Sequence, residues 1–154
     1  MAVYSPIIEN ELLLFLDQYD IGSLKKFEGI LEGIENTNYK IITSQNIYIL
    51  TIFEKRVQLN DLPFFINLKN HLILKNFSCP KPIVNKKGQI INSLNGKPCV
   101  LISYLEGAKT KTVSDIHCKQ VGKVLASLHQ YTRDFTETRI NDMNYNQWYN
   151  IFLK

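Results

Sequence analysis

An α+β fold is predicted: about five antiparallel strands, a helix inserted after the third, and a mainly helical segment to follow. Three observations predict it. Apolar residues fall at helical spacing near the start, short apolar runs separated by Gly- and Asn-bearing turns fill the middle, and helical spacing returns after residue 107.

The first helix covers residues 10–19, where Leu12, Phe15, Leu16 and Tyr19 share one face and Gly22 follows as a stop signal. Residues 24–34 then read as a strand entering a Gly-containing turn, 39–43 as a second strand and 47–53 as a third, with Ser44-Gln45-Asn46 as the second turn. Asn60 and Asp61 are suited to cap a second helix. Pro63 fits its first turn, and Phe65, Leu68 and Leu72 form its apolar face, which ends near Lys75-Asn76. The two prolines of "CPKP" impose an extended segment. Runs 82–84, 89–94 and 99–104 follow, separated by "NKKG" and "NGK", spacers whose Gly and Asn tolerate positive φ. A long helix over 114–133 carries Cys118, Val121, Leu125 and Leu128, and "NYNQWYNIFLK" opens another. Trp148, Tyr149 and Phe152 have no later residues to bury them, so the chain is expected to stop inside a domain and to favour aggregation or pairing with another chain.

Composition narrows the function classes. The 154 residues, 45% hydrophobic and 11% aromatic, suffice for one ordinary core. The longest N-terminal apolar run, 12–16, follows Glu9 and Glu11 and is too short for a signal peptide or membrane span. Cys79, Cys99 and Cys118 are few and far apart, which argues for a reducing compartment; cytoplasm is expected, with no membrane partner. His71, His117 and His129 lack zinc-ligand spacing, although His117 adjoins Cys118, and no metal site is expected within the chain. The net charge of +4 comes from scattered pairs such as Lys25-Lys26, Lys55-Arg56 and Lys86-Lys87, a solvated surface rather than a nucleic-acid stripe.

The stretch 29–56, "GILEGIENTNYKIITSQNIYILTIFEKR", carries the chemistry. A glycine-bearing turn between strands lets backbone N–H groups approach a polyphosphate, and Asn36 and Asn38 add neutral donors. The same residues also describe an ordinary hairpin with left-handed asparagines. Thr51, Phe53 and Lys55 share one face of the third strand by its period of two. No Walker-type GxxxxGK[ST] occurs.

The element order, the "SYLEG" connection and the "VGKVLASLH" stretch at 121–129 resemble the kinase-like small-molecule phosphotransferases, the group of aminoglycoside and choline kinases. Within it, "MAVYSPI", "FLDQYDIG", "GIENTNY", "YILTIFEKR", "DLPFF" and "CPKP" resemble the bacterial homoserine kinases of phosphotransferase-like type. The resemblance implies a kinase-like N-lobe over 1–104, and over 105–154 the hinge and beginning of an incomplete helical C-lobe. It implies ATP and Mg2+ as cofactors and L-homoserine as acceptor, its hydroxyl phosphorylated on the route to threonine. Gly29, Gly33, Asn36 and Asn38 would line the phosphates, with Lys55 as electrostatic partner. Around Tyr104, the Ser103 carbonyl and Leu105 N–H would meet the adenine edge.

Two positions depart from the pattern. Thr51 stands where many relatives carry Lys or Arg, and Asn70 where similar kinases carry a glutamate before "HL"; an asparagine cannot form the charge-assisted pair that positions a lysine. The group's H-x-D-x-x-x-x-N loop and later metal-binding aspartate are absent: His129 is followed by "QYTRDF", and Asp134 lacks the spacing to an asparagine. No catalytic residue is therefore expected before Lys154; the base, the magnesium ligands and most of the homoserine site would lie in a complementary C-lobe. A non-catalytic remnant or standalone nucleotide-binding domain is the alternative, as is a related kinase acting on methylthioribose, choline or an aminoglycoside.

Overall fold

The computed structural model describes residues 3–54, 57–141 and 144–152; Lys55 lies outside them. Its elements are α1 (Glu9–Leu16), β1 (Leu24–Ile30), β2 (Thr37–Thr43), β3 (Ile47–Ile52), α2 (Leu62–Leu74), β4 (Ile91–Leu94), β5 (Lys97–Ser103), α3 (Asp115–Tyr131) and α4 (Tyr145–Phe152). The strands form one antiparallel sheet in the order β1-β2-β3-β5-β4, with α2 inserted between β3 and β4.

Register assigns the residues to two faces. On one, Tyr39, Ile41, Tyr48, Leu50, Ile52, Cys99 and Leu101 are buried with Leu12, Phe15 and Leu16 of α1 and with Tyr19 and Ile21. Each large apolar side chain removed from water there contributes roughly 1.5–3 kcal/mol. Burial pushes the Cys99 thiol up to about 12. It also raises the Tyr19 phenol, with Cys99 adding to the rise, and the Tyr19 hydroxyl accepts from Asn92 Nδ2 at 2.9 Å. The opposite face carries Asn38, Lys40, Ile49, Thr51 and Ile102, all half-buried, and Val100, buried beside Thr51.

Local chemistry explains most element ends. Glu11 accepts the Ile8 N–H at 3.3 Å and, with Glu9, places negative charge in the first turn of α1. Gly22, at φ 79°, lies so close to the β2–β3 turn that a Cβ would overlap Ser44 Oγ and Gln45 Cγ. In that turn Thr43 Oγ1 accepts from both Gln45 and Asn46 N–H. Asn95 and Gly96, at φ 51° and 75°, form the two-residue β4–β5 turn expected of "NGK".

Three expectations need correction. Of the apolar runs after α2, residues 82–84 form no strand; Pro82 makes a single bridge to Ile102, while Asn85 organises the following turn by accepting from Lys87 and Gln89. Asp61 does not cap α2 with its side chain, because its carboxylate pairs with Arg139 at 2.8 Å. The buried residues of α2 are Leu62, Ile66 and Leu72; Phe65 sits at the edge of this face, with the Arg139 guanidinium 5.4 Å from its ring centre.

Residues 132–139, after α3, run back along α2. Asp134 pairs with Lys75 and lies 3.2 Å from His71 Nε2, while Phe135 packs on the His71 and Phe64 rings and Asn67 donates to Glu137 at 2.9 Å. The hydrogen bond from Lys75 holds the Asp134 carboxyl below its ordinary range, with the His71 side chain adding to the effect. Asp134 is thereby a structural partner of α2.

Beyond this strip the helical part is thinly covered. Val121, Leu125, Trp148, Tyr149 and Phe152 are all exposed, Phe152 by 91%. His117 caps α3, its Nδ1 accepting the Ser114 N–H at 3.1 Å. Among the described residues no helix is long and apolar enough to cross a membrane.

Candidate nucleotide site

The open sheet face, the β1–β2 loop and the strand end at β5 border one region. In the loop, residues 31–36, Gly33 adopts φ 110°, a conformation that favours glycine, with open space where a Cβ would stand. Leu31 and Ile34 are exposed. Glu32 is exposed as well, so an anion seated here would rest on backbone N–H groups and not on loop cations.

Asn36 and Asn38 brace the loop where it enters β2. Asn36 Oδ1 accepts the Glu54 N–H at 3.4 Å, tying loop to the end of β3. Asn38 Nδ2 donates to the Asn36 carbonyl at 3.4 Å, and Asn38 Oδ1 accepts the Thr51 hydroxyl at 2.8 Å across the strand pair. Thr51 therefore fills the central position of the open face with a neutral partner for Asn38. Gly29 is explained from the other side. It pairs with Tyr39 on the helix-covered face, where a Cβ would come within 2.8 Å of Val3 Cγ2, so its missing side chain makes room for the N-terminal segment.

The strand reading of 29–56 left out Lys40. It lies two residues beyond Asn38, hence on the same face, and its ammonium stands 4.8 Å from the Tyr104 ring centre. The period of two was enough to find it.

At the end of β5, the Ser103 N–H donates to the Lys81 carbonyl and the Ser103 hydroxyl accepts the Lys81 N–H, both at 2.8 Å. The Tyr104 N–H donates to the Ile47 carbonyl at 3.2 Å. Leu105, just past the strand, is 47% exposed. The structure thus brings Asn36, Asn38, Thr51 and Lys40 onto one surface with Ser103, Tyr104 and Leu105 at its strand-end border.

Behind the loop lies a polar cluster with no forewarning in sequence. Glu54 Oε1 accepts from Thr37 Oγ1 and Ser5 Oγ, both at 2.7 Å, while Lys97 pairs with the other carboxylate oxygen and donates to Ser5 Oγ at 2.7 Å. Burial raises the Glu54 carboxyl, but the hydrogen bonds from Lys97, Thr37 and Ser5 and the charge of Lys97 outweigh it, leaving the group below its ordinary value of 4.5. Among the described residues, no three His, Cys, Asp or Glu side chains converge to hold a metal ion.

A profile of the phosphotransferase enzyme family matches residues 26–150. A homoserine kinase of Agrobacterium fabrum is 46% identical over 148 residues, covering 96% of this chain and 46% of the relative. One from Methylobacterium radiotolerans is 43% identical over 154 residues, covering 100% of this chain and 48% of its own. The chain spans about half the length of the curated relatives it matches. Among solved structures, a microcompartment-associated aminopropanol kinase superposes with a TM-score of 0.67 at 16% identity, covering 90% of this chain and 47% of that one. Spectinomycin phosphotransferase, solved with ADP and spectinomycin, gives 0.62 at 13%, covering 97% and 53%. At these identities the structures share the fold of the sheet with its inserted helix.

Proposed function

Because the chain belongs to the phosphotransferase enzyme family, we propose that it is the nucleotide-facing half of a homoserine kinase, which transfers the γ-phosphoryl group of ATP to the hydroxyl of L-homoserine. The observation that carries this reading is the 46% identity to a homoserine kinase across nearly the whole chain. In this reading the β1–β2 loop, with Gly33, Asn36 and Asn38, seats the phosphates, and Gly29 lets the strand pack behind it. Lys40 supplies positive charge on the same face, and Lys55, outside the described residues, is a second candidate cation. The Ser103 carbonyl and Leu105 N–H face the adenine edge beside Tyr104.

Phosphoryl transfer of this type depends on positioning and charge neutralisation. The chain's contribution is to hold the donor nucleotide. The acceptor-orienting group, the ligands of Mg2+ and most of the homoserine pocket would come from the second half of the longer relatives, which would also cover the exposed faces of α3 and α4.

The test is to express this chain together with whatever coding sequence follows codon 154 and to measure ATP-dependent phosphorylation of L-homoserine against methylthioribose, choline and an aminoglycoside. Preference for homoserine supports the reading; preference for another acceptor replaces it. A second reading, a standalone nucleotide-binding domain, draws on Thr51 and Asn70 standing where related kinases carry an ion pair. Nucleotide binding without turnover on any acceptor would favour it.

A further inference from the structure

The β1–β2 loop is exposed along much of its length, and its anchors are supplied from outside. One is Tyr4, whose hydroxyl donates to the Ile34 carbonyl at 3.1 Å, 30 residues away. Another is Thr37, at the loop's exit and fully buried, whose hydroxyl accepts the N–H groups of Tyr4 and Ser5 at 2.9 and 3.1 Å while donating to Glu54. Glu54 in turn bonds Asn36 through its own N–H. Two residues on, the Tyr39 hydroxyl donates to the Ser5 carbonyl and accepts the Ile7 N–H. Residues 3–7 thus touch the loop before, at and after its tip: Val3 against Gly29, Tyr4 on Ile34, Tyr4 and Ser5 on Thr37.

We propose that residues 3–7 are a positioning strap that fixes the β1–β2 loop in the conformation that receives the donor phosphates, with Tyr4 and Thr37 transmitting the constraint. Its effect on nucleotide affinity rests on the reading of the loop as the phosphate seat; its ordering of the loop does not. The physical basis is preorganisation: a loop held in its bound shape loses less freedom when the ligand arrives. Phosphate contact stays with the loop, and the strap acts through it.

The experiment compares the 154-residue chain with Tyr4→Phe, Thr37→Val and Thr37→Ser, reading amide hydrogen exchange at residues 31–38 and titrating a fluorescent ATP analogue. Tyr4→Phe removes one hydroxyl from an exposed residue, so urea unfolding should change little and the variant stays folded even if Thr37→Val does not. One net hydrogen bond predicts roughly 2- to 10-fold faster loop exchange in Tyr4→Phe. Thr37→Val should exceed that and Thr37→Ser should restore it, while the amides of β3 and β5 keep their protection. Nucleotide affinity should fall by a matching factor. Unchanged loop exchange overturns the strap, and so does a loosened loop that binds nucleotide as well as before. A wild-type chain that fails to bind the analogue refutes the phosphate reading, and loop exchange alone then decides the strap.

Discussion

Thr51 donates its hydroxyl to Asn38 Oδ1 at 2.8 Å, across the rung where β2 and β3 place the two residues opposite each other. A neutral pair therefore holds the middle of this face. Thr51→Val keeps the β-branched shape and leaves the Asn38 oxygen without its donor. The expected loss is about 1 kcal/mol in urea unfolding, and Asn38→Leu combined with Thr51→Val should cost less than the two singles added.

Lys40 is a cation candidate on that face. Lys40→Met should weaken binding of a fluorescent ATP analogue roughly tenfold, the scale of one charge-assisted hydrogen bond to phosphate. The difference should shrink between low salt and about 0.5 M salt. If Lys40 serves only to cover Tyr104, affinity will stay unchanged and the cost will be about 0.5–1 kcal/mol of stability.

Acid should undo the cluster behind the loop. The Glu54 carboxyl is held below 4.5 in the fold, so its stabilisation is complete above the unfolded value and is lost as pH falls through the folded one. Glu54→Gln, which removes the charge facing Lys97, should be less stable than wild type at pH 7. The gap should close progressively below pH 4.5, as followed by unfolding at a series of pH values.

Two glycines with nearly the same φ should respond differently to alanine. At Gly88, φ 78°, the added methyl meets open space, so only the left-handed backbone opposes it and the loss should be about 1–2 kcal/mol. At Gly22, φ 79°, the methyl also overlaps Ser44 and Gln45, and the loss should be roughly 2–4 kcal/mol. Thermal unfolding of the two variants checks the ordering.

Much of the fold was legible because local chemistry sets it. The Asn95-Gly96 turn, the Leu12/Phe15/Leu16 face and the inserted helix each follow from periodicity or from positive φ. What escaped was decided by partners distant in sequence. Asp61 has the composition of a cap, yet Arg139 takes its carboxylate. Phe65 reads as core, yet the same guanidinium stands over it at the edge. In the candidate site, alternation placed Thr51 on the third strand, but Asn38 was read in the turn before a second strand at 39–43, whereas β2 begins at Thr37 and includes it. Lys40 was open to the same rule of alternation and went unread. The strap left no local trace, since the bond from Lys97 to Ser5 joins residues 92 positions apart.

The order of strands in the sheet has a consequence for the growing polypeptide. β5 is the neighbour of β3 but is made some forty-five residues later, after α2 and the proline segment. Until residue 103 has left the ribosome, β3 presents bare N–H and C=O groups along one side, and Leu50 and Ile52 lack the Leu101 and Cys99 that flank them in the finished sheet. Nascent chains paused between β3 and β5 should therefore be the ones that chaperones hold, and slowing translation across residues 75–96 should lengthen that exposure.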